Sequence, residues 1–242
     1  MSLFLSRAFV DYELAFKREL NDVYRWHKAI WECFDGIIPR DPNKGCFPKG
    51  TEPGAQPWRP PDFLTRLDVQ DRGFQVLILS AVGPVKPDWC PTDQWETKPI
   101  PERFWSHGRY AFQLRANPTK RIADPAKPKV VGPDGRINRN RNARRVALLR
   151  REDLVAWLQR KAEAGGFRVN LDTLRTHPAR RELFRKPGKG HAAHAMSGVV
   201  QGVEFRGVLD IADRERFLRT VRSGVGSAKA FGFGLLVITP VL

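Results

Sequence analysis

The chain of 242 residues carries 42 Lys and Arg against 26 Asp and Glu, a net charge of +16, and 41% of it is hydrophobic, with 7 Trp and 15 Phe. At about 150 residues per domain this length suits one large domain or two small ones, and the apolar content excludes a wholly disordered chain. No apolar run approaches the roughly 18 residues that span a bilayer, and the N-terminus lacks a basic segment leading into a long apolar stretch, which argues against a cleaved signal peptide. Three widely spaced cysteines, Cys33, Cys46 and Cys90, form neither a disulfide framework nor a CxxC zinc pair. Free thiols in a reducing cytoplasm are expected.

Leu3 to Val10 alternates weakly and reads as a first strand. A helix is predicted from about Asp22 to Phe34, with Val23, His27, Ile30 and Phe34 stepping along one face, Asn21 as its cap and Gly36 as its end. The stretch Pro39 to Pro61 is rich in Pro and Gly and reads as a loop. Phe63 to Val69 and Phe74 to Val82 read as a hairpin around Gln70-Asp71-Arg72-Gly73. Gly83 to Arg103 reads as irregular, and Tyr110 to Arg115 alternates as a further strand. The order β-α-β-β-irregular-β approaches a ferredoxin-like unit whose second helix is missing or short.

Ala123 to Asn142 reads as a basic linker or loop. The pattern then restarts: a short strand at Val146 to Leu149, a helix from Arg151 to the Gly165-Gly166 stop, and a strand over Phe167 to Leu174. Two alternating runs follow within Val199 to Ile211, then a helix over Asp213 to Val221 and a closing strand over Phe233 to Ile238. The expected fold is α+β, two tandem ferredoxin-like (RRM-like) βαββαβ units. Their expected bounds are residues 1–122 and 145–242, with the linker at 123–144.

The positive surplus is clustered. Arg115 to Arg151 holds Lys120, Arg121, Arg139, Arg141, Arg144 and Arg145 among its cations, with Asp124 and Asp134 as its only acids; a second tract runs from Arg175 through Arg185 and Lys186 to Lys189. Basic tracts this dense repel themselves unless a polyanion neutralises them, and arginine's planar fork suits phosphate oxygens and guanine edges. Nucleic-acid binding is therefore favoured over a merely solvated basic surface. A membrane surface is disfavoured because the tracts are rich in Pro, Gly and Asn and show no amphipathic helix.

Two features carry candidate chemistry. Gly224-Val225-Gly226-Ser227-Ala228-Lys229-Ala230-Phe231-Gly232-Phe233-Gly234 joins a helix to a strand. Glycines admit a close backbone approach to phosphate, and Lys229 adds a point charge. A ligand-free glycine turn is the competing reading. His27 shares a helix face with Tyr24 and Trp31. An imidazole there is either a packed edge residue or an acid/base group that works near its pKa of about 6.5. His191 and His194 find no third ligand nearby.

Four segments together resemble CasE, the CRISPR-repeat endoribonuclease subunit of the type I-E Cascade complex in the RAMP superfamily. They are Asp22-Val23-Tyr24-Arg25-Trp26-His27-Lys28, Leu114-Arg115-Ala116-Asn117-Pro118-Thr119-Lys120-Arg121, Trp157-Leu158 through Gly165-Gly166-Phe167-Arg168, and the terminal glycine-rich loop. The resemblance implies two ferredoxin-like units and metal-independent cleavage at the 3′ base of each repeat stem-loop. The product would stay bound as guide RNA within Cascade, beside its other subunits. It implies that His27 and Tyr24 are catalytic, and that Lys229, Ser227 and Gly226 lie near the RNA with Arg185 in its groove. No cofactor, metal, membrane or direct DNA contact is expected. Lys28, Arg115, Lys120, Arg121, Arg139, Arg141, Arg144, Arg145 and Lys186 are the further expected RNA contacts.

In that chemistry the RNA 2′-hydroxyl is the nucleophile. His27 would move a proton as acid or base, Tyr24 would position the 2′-hydroxyl or phosphate, and Lys229 would face the developing charge, giving 2′,3′-cyclic phosphate and 5′-hydroxyl ends. Two rivals stand beside it: a non-catalytic RNA hairpin-binding module with a structural His27, and a DNA-binding regulator, for which no convincing helix-turn-helix or zinc pattern is found.

Overall fold

The structure is a computed structural model that describes residues 2–35, 63–123, 143–186 and 196–241. Its first half runs β1 (Phe4–Asp11), α1 (Tyr12–Lys17), α2 (Val23–Trp31), β2 (Phe63–Gln70), β3 (Gly73–Ser80) and β4 (Trp95–Pro99). The four strands make one antiparallel sheet in the order β2-β3-β1-β4, with Phe4 opposite Ser80 on one side and Pro99 on the other. The second half runs β5 (Arg109–Ala116), β6 (Thr119–Ala123), β7 (Ala143–Ala147), α3 (Arg151–Ala164), β8 (Phe167–Val169), β9 (Arg175–Lys186), β10 (Met196–Ile211), α4 (Arg214–Ser223) and β11 (Leu236–Pro240). Its sheet has the order β11-β5-β10-β8, β9 pairs along the outer part of β10, and β6 and β7 form a separate ribbon. Both sheets place their strands fourth-first-third-second, the order of a ferredoxin-like unit, so the expected fold holds.

One strand changes sides. Tyr110 to Arg115 was expected to close the first unit, but β5 pairs with β10 and β11. The first unit closes with β4, which lies inside the segment read as irregular, and the boundary falls between Pro99 and Arg109 rather than at residue 122. Trp-Glu-Thr-Lys-Pro offers too little apolar alternation to announce a strand; pairing with β1 makes it one. The missing second helix of the first unit is confirmed: only a 3-10 turn, Thr92–Gln94, separates β3 from β4.

Helix α2 starts one residue later than expected. Asp22, not Asn21, caps it, its carboxylate accepting from Arg25 N–H at 2.8 Å. The α-helix ends at Trp31 and tightens into a 3-10 turn over Glu32–Phe34; the expected stop, Gly36, and the loop Pro39 to Pro61 lie outside the described residues. Trp26, Ala29, Ile30 and Cys33 are buried against Ala8, Val10, Val76 and Ile78 of the sheet. The Trp89 indole donates to the Ala29 carbonyl at 3.0 Å and pins the helix there. His27 therefore sits at the edge of this face rather than within the stripe. The short α1 was not foreseen: six residues are too few to show a helical period. Cys33 and Cys90 are free and buried, their thiols pushed by burial up to about 12 and about 11. Among the described residues no helix is long and apolar enough to cross a membrane.

The other face of the first sheet packs on the second unit. Leu64 and Leu79, opposite each other on β2 and β3, join the core of Leu114, Trp157, Phe205 and Phe217. Two residues further along β2, Arg66 is only 5% exposed. Its guanidinium donates to Asp68 at 2.7 Å and Glu204 at 2.9 Å, while Arg115 donates to Asp68 at 2.7 Å and to the Leu67 carbonyl. Burial alone would push the Arg66 pKa down, but the two carboxylates hold it above its ordinary value.

Breaking such a buried set by removing one partner leaves uncompensated charge and costs about 3–5 kcal/mol. Arg66→Leu is expected to lower unfolding free energy by about 3 kcal/mol, and Arg66→Leu with Glu204→Gln by less than the sum of the singles. Urea denaturation of the four proteins checks this; additive losses of under about 1 kcal/mol each would show the network to be dispensable.

Candidate active site

His27 is half-buried on α2, one turn after the half-buried Tyr24. Its ring lies 6.2 Å from Phe63, nearly parallel at 28°, and 6.1 Å edge-on from Trp31. Phe63 in turn stacks on Phe34 at 4.8 Å and meets Trp31 at 5.1 Å. The Trp31 indole N–H donates to His27 Nε2 at 3.1 Å, and His27 Nδ1 is buried with no partner among the described residues. A nitrogen that accepts a hydrogen bond carries no proton, so the neutral ring holds its hydrogen on Nδ1. Burial disfavours the imidazolium and lowers the His27 pKa below 6.5.

The glycine-rich turn reaches this helix. α4 ends at Gly224, Val225 N–H donates to the Gly234 carbonyl at 2.9 Å, and Gly234 N–H donates to the Arg115 carbonyl at 2.7 Å, so the turn is tied to β5. Ala228 takes a left-handed φ of 64° and opens a 3-10 turn over Lys229–Phe231 that lies beside both α2 and the edge strand β2. Lys229 is half-buried; burial first, and the charge of Lys161 second, lower its ammonium pKa. Gly226 has φ +90°, and a Cβ there would stand 3.1 Å from the Trp157 ring, so both backbone and space require glycine. Ser227 Oγ donates to the Asn117 carbonyl at 3.3 Å, fastening the turn to the end of β5.

On the far side of the turn, Gly226 and Ser227 line a cavity of about 250 Å³ with Asn117, Thr119, Trp157, Arg121, Arg145, Arg160 and Lys161. Among the described residues, four cations and no acid line it. Arg121 and Arg145 stand directly opposite on the β6–β7 ribbon, where like charges destabilise a strand pair unless an anion bridges them.

The remaining expected residues divide. Arg115 was expected to meet RNA; instead it is committed to Asp68, Leu67 and Glu204 between the sheets. Lys28 is exposed beside Arg18, Arg25 and Glu32 in a different depression from the imidazole. Lys120 is exposed on β6 opposite Val146. Arg185 and Lys186 close β9 opposite Ser197 and Met196, and Arg144 lies on β7 opposite Ile122; their side chains, with all of Arg139 and Arg141, lie outside the described residues. Sequence reasoning missed Arg160 and Lys161, which read as ordinary cations of a helix's last turns. It placed Trp31 on the face of His27 without foreseeing their bond.

A family model described as CRISPR associated protein matches residues 3–240. The CRISPR-associated endoribonuclease Cse3 of Thermus thermophilus is 34% identical over 180 residues, 70% of this chain and 76% of that protein. The Cascade subunit CasE of Escherichia coli is 30% identical over 223 residues, 91% and 94% of the two chains. The structure of Thermus thermophilus Cse3 bound to an RNA representing a pre-cleavage complex superposes with a TM-score of 0.65 at 25% identity, covering 99% of this chain and all of that one.

The burial of His27 has a sign that titration reads. The folded pKa lies below the ordinary 6.5, so between the two values the unfolded chain binds the extra proton, and stability falls as pH drops through the unfolded pKa. In an NMR titration the His27 ring is expected to reach its midpoint below 6.5; a midpoint above it would contradict the buried neutral imidazole.

Proposed function

The chain belongs to the CRISPR associated protein family, and we propose that it is a metal-independent endoribonuclease. It cleaves CRISPR repeat RNA at the 3′ base of its stem-loop and keeps the product as mature guide RNA within a cytoplasmic Cascade assembly. The observation that carries this reading is the meeting of the His27 helix with the Lys229 turn, in a chain related to Cse3 and CasE along most of its length.

The 2′-hydroxyl adjacent to the scissile phosphate is an internal nucleophile, so no metal-bound water is needed. A neutral imidazole is equipped to accept its proton, which favours His27 as the base. The 2′ oxygen then bonds to phosphorus, the P–O5′ bond breaks, and water protonates the departing 5′ oxygen. The ends are a 2′,3′-cyclic phosphate and a 5′-hydroxyl. Tyr24, one turn before His27, positions the 2′-hydroxyl or phosphate, and the half-buried Lys229 ammonium faces the charge that develops on phosphorus.

The RNA stem is held through its phosphates. An A-form helix hides its base edges in a deep major groove, so shape and backbone charge dominate its recognition. Arg121 and Arg145 of the ribbon, with Arg160 and Lys161 of α3, form one basic wall leading to Ser227 and the turn, and Lys120 and Arg144 are further ribbon contacts in this reading. Arg185 and Lys186 near the end of β9, with Lys28, Arg139 and Arg141, are further contacts in this reading.

His27→Ala is expected to slow cleavage of the repeat hairpin in EDTA by about 10²–10⁴-fold while leaving hairpin affinity within a few-fold. End-group analysis and a filter-binding titration check both. Intact RNA with the parent protein would instead favour a non-catalytic hairpin-binding module. Arg160→Ala with Lys161→Ala is expected to weaken hairpin binding and to reduce the slope of log Kd against log salt by about 1.5–2. An unchanged slope would place both residues off the RNA path.

A further inference from the structure

Trp31 occupies the one nitrogen of His27 that can take a proton. Nε2 accepts the indole N–H at 3.1 Å, and Nδ1, which carries the ring hydrogen, is buried without a partner among the described residues. A base working through this imidazole must use Nε2, because Nδ1 has no free lone pair in this tautomer. We infer that Trp31 is a latch on the catalytic imidazole: its N–H fixes the tautomer and covers Nε2 in the RNA-free protein, and it lets go when the RNA 2′-hydroxyl takes its place. The inference rests on the reading of His27 as the proton acceptor.

The placement of Trp31 suits that role. It is the last residue of α2, where the helix tightens into a 3-10 turn, and it is half-buried rather than sealed in the core. Its ring is held edge-on by Phe63 at 5.1 Å and edge-on against His27 at 6.1 Å, and the indole N–H adds a hydrogen bond to that ring contact. Trp26, five residues earlier, lies 3% exposed in the core, whereas Trp31 stands at the edge of that core. The N–H···N bond also opposes protonation, since an imidazolium nitrogen cannot accept it. Trp31 therefore acts in the same direction as burial. It favours a neutral, correctly tautomerised base before substrate arrives, and it delays use of that base until substrate is seated.

The test uses the full chain. In the free protein, ¹⁵N shifts are expected to report Nδ1–H with Nε2 as a hydrogen-bonded acceptor. Saturation with a repeat hairpin carrying a 2′-deoxy nucleotide at the cleavage position is expected to shift the Trp31 indole N–H resonance and to release Nε2 from it. Persistence of the Trp31–His27 bond in that complex would overturn the latch. Trp31→Phe keeps the ring contacts and deletes the donor; because RNA binding must otherwise break that bond, hairpin affinity is then expected to rise about 3- to 10-fold, the factor one hydrogen bond supplies. In a His27→Ala background the same substitution is expected to change nothing. A folded Trp31→Phe protein that binds the hairpin no more tightly than its parent also overturns the inference. Should His27→Ala cleave at the parent rate, the catalytic reading fails on its own, and the fate of the indole bond in the RNA complex still decides whether Trp31 moves.

Discussion

The geometry of the site depends on a set of ion pairs held largely out of water between two sheets. Arg66 and Arg115 balance Asp68 and Glu204, and the set links β2 of one unit to β5 and β10 of the other. As a source of stability a buried ion set is poor, because desolvation consumes most of the Coulomb gain. Its value here is directional. Apolar contacts such as Leu64 against the second core tolerate sliding, whereas a guanidinium fork shared between two carboxylates does not. With β2 placed, its edge receives the glycine turn: Gly232 lies against the Leu67 N–H and the Thr65 carbonyl. That contact carries Lys229 to α2. Removal of the network would therefore disturb the site without touching any residue in it.

Most of the fold was legible because it repeats. The two βαββαβ cycles stand out in the alternation of Phe74 to Val82 and in the helix that runs to Gly165-Gly166. What was not legible depended on partners. Nothing in Trp95 to Pro99 marks a strand until β1 lies beside it, and Tyr110 to Arg115 reads the same whichever sheet receives it. Arg115 shows the same limit for a side chain. In sequence it heads a basic tract, and only Asp68 and Glu204, distant along the chain, turn it from a surface cation into a half-buried strut between the sheets.

The site divides along the same line. Tyr24, His27 and Trp31 share a helix face by spacing alone, and the Lys-bearing glycine turn is conspicuous in any reading. The cationic cavity is different. Arg121 and Arg145 come from two strands, Arg160 and Lys161 from a helix, and Gly226 and Ser227 from the terminal turn. No local signal could gather residues from four elements. Because Asp68 and Glu204 are spent inside the molecule, they offset buried arginines and leave the ribbon's positive charge in place. A ribbon that sets Arg121 opposite Arg145 accepts a standing repulsion, which in the proposed reading an RNA phosphate would convert into a shared contact.

The electrostatics of the two halves of the site then complement each other. Burial and the Trp31 donor hold His27 uncharged, and Lys161 and burial press Lys229 toward lower proton affinity. Without RNA, the charged form of each group is less favoured than for the same side chain in water. A bound phosphodiester acts on both in the opposite sense: its negative charge stabilises an imidazolium and an ammonium alike. In the proposed chemistry the substrate's own phosphate thus supplies the field that makes proton acceptance by His27 favourable and keeps Lys229 charged against the developing phosphorane. Carboxylates supplying that field from the protein itself would weaken its hold on RNA, so a cavity lined by cations without an acid among the described residues and a buried neutral imidazole belong to one design.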